Sequence, residues 1–301
     1  MIKRLLVIHP HLDIKGGSER LTKILIEELI DMDLDVHLIS GFFDDEWFKL
    51  KNVKYYTLRG VKEPLNLVSN VVSEVKPDAA FIALPEPYYA YAVKKVSPKT
   101  TTGMYIHFPL DEEISEKNIR EYNLRYRYPH LVPKYLNFIN ITMANSKRTA
   151  LAVEFLWGFR PEVVYPCIDR IFFENELELG ERRENIIVYV GRFCNLKRHD
   201  FLALAMEIIR REVPDAQLIL AGFVDPRHKE YYEHVKAISE EIEGIEVISS
   251  ATERELIKLY RRAKVYAHPR IGEHFGLAPI EAMSQGTPIV IRSPTGLEEV
   301  I

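Results

Sequence analysis

Gly272 to Gly286 reads GEHFGLAPIEAMSQG and lies between two short apolar runs, VYAHP (Val265 to Pro269) and TPIVI (Thr287 to Ile291). The flanking runs are rich in β-branched residues and short enough for strands. Between them Ile280, Ala282 and Met283 recur at helical spacing, so the stretch reads as strand, glycine-rich loop, helix, strand. At the carboxyl end of a parallel strand the free N–H groups of the next helix point outward and can hold an anion without a cationic side chain. Glu273 falls in the loop and Glu281 in the helix, with seven residues between them. Carboxylates so placed can accept from the vicinal hydroxyls of a ribose or hexose. Taken alone, the pair reads equally as a loop charge and a solvated helix residue.

Similar units extend outward from this stretch. Ile186 to Val190 (IIVYV) is a second strand, followed by the loop GRFCNLKR, in which Arg192 and Lys197 stand five apart across a strand-to-helix turn. A planar guanidinium fork and a mobile ammonium suit a diphosphate. Such a pair on its own also occurs on wet surfaces. Helices at Phe201 to Arg211, Lys229 to Ile242 and Glu253 to Ala263 alternate with strands at Gln217 to Ala221, Ile245 to Ile248 and Val265 to His268. Gly222 and Asp225, in AGFVDP, fall in the loop after one of those strands.

The amino-terminal half has the same rhythm. RLLVIH (Arg4 to His9) is a buried strand, and the Gly16-Gly17 pair precedes an amphipathic helix carrying Leu21, Ile24, Leu25 and Leu29 on one face. DVHLIS, VKYYTL, DAAFIAL and TGMYIH are further strands, and His107 closes the last of them. Strands alternating with helices of about a dozen residues predict doubly wound parallel sheets. A dinucleotide fold would carry G-x-G-x-x-G after the first strand, and GGSE lacks it.

With 301 residues and 47% hydrophobic content the chain is long enough for two such domains. We place them at residues 1–169 and 170–301, with the charged segment Asp169 to Arg183 as the linker. Net charge is −4, which argues against nucleic-acid binding. Cys167 and Cys194 are too few for a disulfide framework and favour a reducing, cytoplasmic setting. No apolar run reaches the length of a membrane span. Between Lys117 and Lys134, Arg120, Arg125, Arg127 and Lys134 interleave with Tyr122, Tyr126, Tyr128 and Tyr135. That mixture suits a membrane interface with anionic headgroups, or a solvated helix packed through its tyrosines.

Four ordered elements, GGSE, GR-x4-K, E-x7-E and the terminal SPTGLEE, resemble those of the retaining glycosyltransferases of family 4. YIHFP, YPC and GEHFG further resemble the α-mannosyltransferases of lipid-linked oligosaccharide synthesis. The sequence departs from the family in Arg198, where glycine commonly follows the lysine, and in Thr295, which replaces the first glycine of GG-x-x-E. The resemblance implies a GT-B fold of two Rossmann-like domains facing a cleft, the first binding acceptor and the second, ending early here, binding the nucleotide sugar.

It further implies that Glu273 and His107 face the donor sugar and that Arg192 and Lys197 take its diphosphate. Phe275, Gly276 and Leu277 meet sugar and diphosphate through their backbone, and Glu281 binds the ribose. Gly16 and Gly17 lie near the donor phosphate, while Arg120, Arg125, Arg127 and Lys134 serve acceptor or membrane. The implied reaction moves a hexose with retention and without a metal or other cofactor. The expected pair is GDP-mannose and a polyprenyl-diphosphate glycan at the cytoplasmic face of a membrane. A UDP-hexose donor, a nucleotide-sugar epimerase of the same fold and a non-catalytic sugar-nucleotide-binding protein are the alternatives. Donor epimerisation without an acceptor would mark the second, and binding without turnover the third.

Overall fold

The computed structural model describes residues 2–12, 16–43, 48, 50–109, 132–174 and 183–301. It divides after Pro166 into two compact units. The first contains β1 (Arg4–Ile8), β2 (His11–Leu12), α1 (Gly17–Asp31), β3 (Asp35–Ser40), β4 (Phe42–Phe43), β5 (Val53–Thr57), α2 (Pro64–Val75), β6 (Ala79–Ile82) and α3 (Tyr88–Val96). It continues through β7 (Thr101–Ile106), α4 (Val132–Tyr135), β8 (Ile141–Ala144), α5 (Lys147–Trp157) and β9 (Glu162–Val163). Its main sheet has the order β5-β3-β1-β6-β7-β8-β9. Every pairing described in it is parallel.

Leu6, Val7 and Ile8 of β1 are fully buried. Successive side chains on a strand point to opposite faces, and Leu6 and Ile8 join one apolar cluster while Leu5 and Val7 join another. A parallel strand covered on both faces is therefore apolar throughout. Helix ends carry the expected signals. Pro64 opens α2, the Ser146 hydroxyl accepts from the Thr149 N–H at the start of α5, and Gly158 ends α5 at φ 76°. Helix α3 has no counterpart among the expected elements. Its YYAYAV alternates aromatic and small residues, which hides the helical period, and Tyr88, Tyr89, Ala90 and Ala92 are all buried.

The second unit contains β10 (Glu184–Val190), α6 (His199–Glu212), β11 (Gln217–Gly222), α7 (Lys229–Glu241), β12 (Ile245–Ser249), α8 (Glu253–Arg262), β13 (Ala263–His268), α9 (Leu277–Ser284) and β14 (Ile289–Ile291). Its sheet has the order β12-β11-β10-β13-β14, again parallel throughout. Thr252 and Glu255 form a reciprocal capping box at the start of α8, whose Leu256, Ile257, Leu259 and Tyr260 are buried. Beyond its end, the Arg183 guanidinium donates to the Tyr260, Arg261, Ala263 and Gln285 carbonyls, groups that a helix terminus leaves without intrahelical partners.

In such sheets the strand order reverses at one point, and ligands bind beyond the carboxyl ends of the strands on either side of it. That point lies between β1 and β6 in the first unit and between β10 and β13 in the second. Among the described residues no helix is long and apolar enough to cross a membrane. Arg120, Arg125 and Arg127 lie outside the described residues. Lys134 is exposed on α4, its ammonium 5.9 Å from the Tyr135 ring centroid.

Candidate functional site

The loop leaving β10 is anchored by its backbone. The His199 Nε2–H donates to the Gly191 carbonyl at 3.2 Å, and the Tyr189 hydroxyl donates to the Lys197 carbonyl at 2.8 Å. Arg198 sits at φ 54°, ψ 40°. This left-handed geometry is costly for a side-chain-bearing residue, which gives a physical reason for the glycine preferred there in the resembled family. The loop brings the Lys197 ammonium to 2.5 Å from Glu273 Oε2. Arg192 turns elsewhere, its Nη1 lying 3.4 Å from Asp225 Oδ2. Asp225 is 2% exposed and also accepts from Arg227 Nε at 2.9 Å. The two cations expected to share one anion thus rest on separate carboxylates.

Glu273 stands in the loop after β13 and is 7% exposed. Arg270 Nη1 lies 3.4 and 3.5 Å from its two oxygens, both long contacts. His268 Nε2 is 3.4 Å from Oε2, but neither ring nitrogen of this buried histidine makes a hydrogen bond. The backbone of Glu273 is fixed from the next loop, where the Gly296 N–H (2.8 Å) and the Thr295 hydroxyl (3.1 Å) both donate to its carbonyl. Thr295 also forms a capping box with Glu298, a role that the glycine it replaces could not fill. Gly276, at φ 88°, caps α9, so the turn from Phe275 to Leu277 uses a conformation that only glycine adopts freely. Glu281 is 1% exposed, and its Oε2 accepts from the Tyr260 hydroxyl at 3.1 Å.

Burial alone would raise the Glu273 carboxyl, but Lys197 and then Arg270 outweigh it and hold the group well below the usual carboxylate range. Burial pushes Lys197 down, with Arg270 acting in the same direction against the pull of Glu273. His268 is likewise pushed down by burial, which favours its neutral form. The cluster therefore sets two cations against one carboxylate at the carboxyl ends of β10 and β13. Such a surplus, beside the N-terminus of α9, can hold an anion. Among the described residues no group of His, Cys, Asp or Glu could hold a metal.

His199 carries a pH dependence. Burial pushes its imidazole down to about 3, against about 6.5 for an exposed histidine in the unfolded chain. Between those values the unfolded chain binds the extra proton. The stability contributed by neutral His199 is therefore present above pH ~6.5 and is lost as the pH falls towards ~3, at up to about 1.4 kcal/mol per pH unit. Calorimetric melting between about pH 6.5 and 4.5 is expected to fall less steeply in His199→Phe, which can keep the 4.4 Å ring stack on Phe193. Equal slopes would dismiss the assignment.

In the first unit, Gly16 is the N-cap of α1 and Gly17 its first residue. His107 follows β7, its carbonyl accepting from Asn145 Nδ2 at 2.8 Å and its ring lying edge-on to Tyr105. His9, fully buried after β1, accepts at Nδ1 from the His11 N–H. Burial, and then the nearby His107 and His11, push it well below its usual value. The sequence reading passed over His9, His268 and Arg270. For Arg270 the available signal was its place three residues before Glu273 in HPRIGE, on the same loop.

Residues 172–301 match the family model of glycosyl transferases group 1. The D-inositol 3-phosphate glycosyltransferase of Mycobacterium sp. (strain JLS) is 28% identical over 46% of this chain and 33% of its own length. The GDP-Man:Man(3)GlcNAc(2)-PP-Dol alpha-1,2-mannosyltransferase of Neurospora crassa is 27% identical over 52% of this chain and 34% of its own. The chain thus spans about a third of the length of these curated relatives. Anabaena HepE, crystallised with UDP and glucose, superposes with a TM-score of 0.74 at 17% identity, covering 99% of this chain and 83% of that one. The fold is that of the GT-B glycosyltransferases, two parallel-sheet α/β domains in succession.

Proposed function

We propose that this chain transfers a hexose from a nucleotide diphosphate sugar to a glycan acceptor, with retention at the anomeric carbon and without a metal. The observation that carries this reading is the Lys197–Glu273–Arg270 cluster at the switch point of the second sheet, with its surplus of positive charge. As the glycosidic bond to the diphosphate opens, negative charge grows on the leaving oxygens. Lys197, Arg192 and the N–H groups at the start of α9 stabilise it more strongly in the transition state than in the ground state. Glu281 is assigned to the ribose and His107 to the sugar. The backbone from Phe275 to Leu277 is assigned to the diphosphate, as is the Gly16-Gly17 loop.

Glu273 orients the sugar and is not the nucleophile. A carboxylate held between Lys197 and Arg270 is poor at attacking carbon, and a same-face route through an ion pair needs no protein nucleophile. The preferred donor is GDP-mannose and the preferred acceptor a polyprenyl-diphosphate glycan, on the strength of YIHFP, YPC and GEHFG and of the likeness to the Neurospora mannosyltransferase.

The test is isothermal titration with GDP-mannose, UDP-glucose and UDP-GlcNAc, followed by release of nucleoside diphosphate in the presence of glycan acceptors. One donor is expected to bind in the micromolar range and to be turned over only when acceptor is present. Epimerisation of the donor without acceptor, or binding with no turnover on any acceptor, would sink the transferase reading.

A further inference from the structure

Beyond its place beside Glu273, the transferase reading gives Arg270 no contact with the donor. Its side chain is 17% exposed, yet among the described residues only Nη1 has a protein partner, and both of its contacts with Glu273 are 3.4 Å or longer. Lys197 already occupies Oε2 of that carboxylate at 2.5 Å. A guanidinium carries five N–H donors in a rigid fork, and two long contacts from one nitrogen to a carboxylate claimed by another cation leave most of them unused. The carboxylate balances one of the two cations and leaves the other uncompensated. Beside it His268, 4% exposed, has no hydrogen bond at either ring nitrogen. The two partnerless nitrogens of buried His268 and the uncompensated charge beside them both point to an anionic ligand.

Elsewhere in the unit, Arg192 and Arg227 both pair with the buried Asp225.

We infer that Arg270 is a further diphosphate ligand, turning its unused N–H groups to a phosphate oxygen beside Lys197 when the nucleotide binds. The inference rests on the donor assignment above and adds a specificity residue to it. Lys197 supplies a point charge and Arg270 a directional fork, so the pair discriminates a diphosphate from a monophosphate.

The experiment compares binding of GDP, GMP, UDP and UMP by titration calorimetry to wild type, Arg270→Ala and Arg270→Lys, with thermal melting to check folding. Arg270→Ala is expected to weaken the preferred nucleoside diphosphate about 10–100-fold and the matching monophosphate by less than about threefold. Arg270→Lys should recover part of the loss, because charge is kept and the fork is not. Diphosphate affinity unchanged in Arg270→Ala, or equal losses for mono- and diphosphate, overturns the inference and leaves the donor assignment standing. A wild-type chain that binds no nucleoside diphosphate overturns both. A further arm titrates UDP-glucuronate against UDP-glucose. Loss of glucuronate alone in Arg270→Ala would move the contact to a sugar carboxylate and overturn the diphosphate assignment.

Discussion

Lys197→Ala is expected to lower sugar transfer about 10²–10³-fold, the loss typical of removing one preorganised group from a developing anion. The ammonium is held in place before any ligand arrives, by Glu273 at 2.5 Å and by the Tyr189 hydroxyl fixing the Lys197 carbonyl at 2.8 Å. Its contribution therefore needs little reorganisation at the moment of bond cleavage.

The same change leaves a buried carboxylate with only the long contacts of Arg270. Removing one partner of a buried pair costs about 3–5 kcal/mol when nothing replaces it. Because Arg270 remains, a stability loss of roughly 2 kcal/mol is expected by denaturant titration. A double variant, Lys197→Ala with Glu273→Gln, removes the orphaned charge and should regain most of that stability but none of the transfer. Transfer within tenfold of wild type in folded Lys197→Ala would rule out the leaving-group role.

Gly222→Ala is expected to unfold the second unit far more readily, although alanine is the smallest possible addition. A Cβ at position 222 would lie 1.8 Å from the Gly191 carbonyl oxygen and 2.8 Å from its carbon. Neither strand can yield cheaply. The Gly191 N–H donates to the Ala221 carbonyl at 2.9 Å, pinning the end of β10 to β11, and the Gly222 carbonyl accepts from the Ser250 N–H at 2.7 Å, pinning the end of β11 to that of β12. Overpacking against backbone costs at least the ~3 kcal/mol at the top of the usual range, which corresponds to a drop in melting temperature of roughly 10 °C for a unit of this size. Because the Gly191 carbonyl also accepts from His199, the displaced loop should carry Lys197 away from Glu273 and weaken nucleotide binding as well. A melting temperature within about 2 °C of wild type would show that the approach is looser than the geometry indicates.

Much of this fold is written locally. Continuous apolar runs such as RLLVIH and IIVYV mark strands covered on both faces, and the Ser146, Thr252 and Pro64 signals mark helix starts. Helix α3 escaped because its buried tyrosines and alanines share no single face, a matter of what packs around it. The positions of Glu273, Glu281, Arg192 and Lys197 after their strands were legible for the same local reason, since loop length and strand ends set them. Arg270 was not, since a cation in a loop looks like a solvated charge until a carboxylate is found beside it.

The sequence by itself determined two parallel-sheet units and the loops in which charged side chains collect, because hydrophobic period, caps and glycine positions act over a few residues. Only the tertiary structure decided which charges meet. It set Lys197 and Arg270 on one buried Glu273, sent Arg192 to Asp225, and pressed Gly222 against Gly191. Those pairings depend on strand order and on exclusion of water, and burial, by weakening dielectric screening, is what makes an isolated charge costly and its partner consequential.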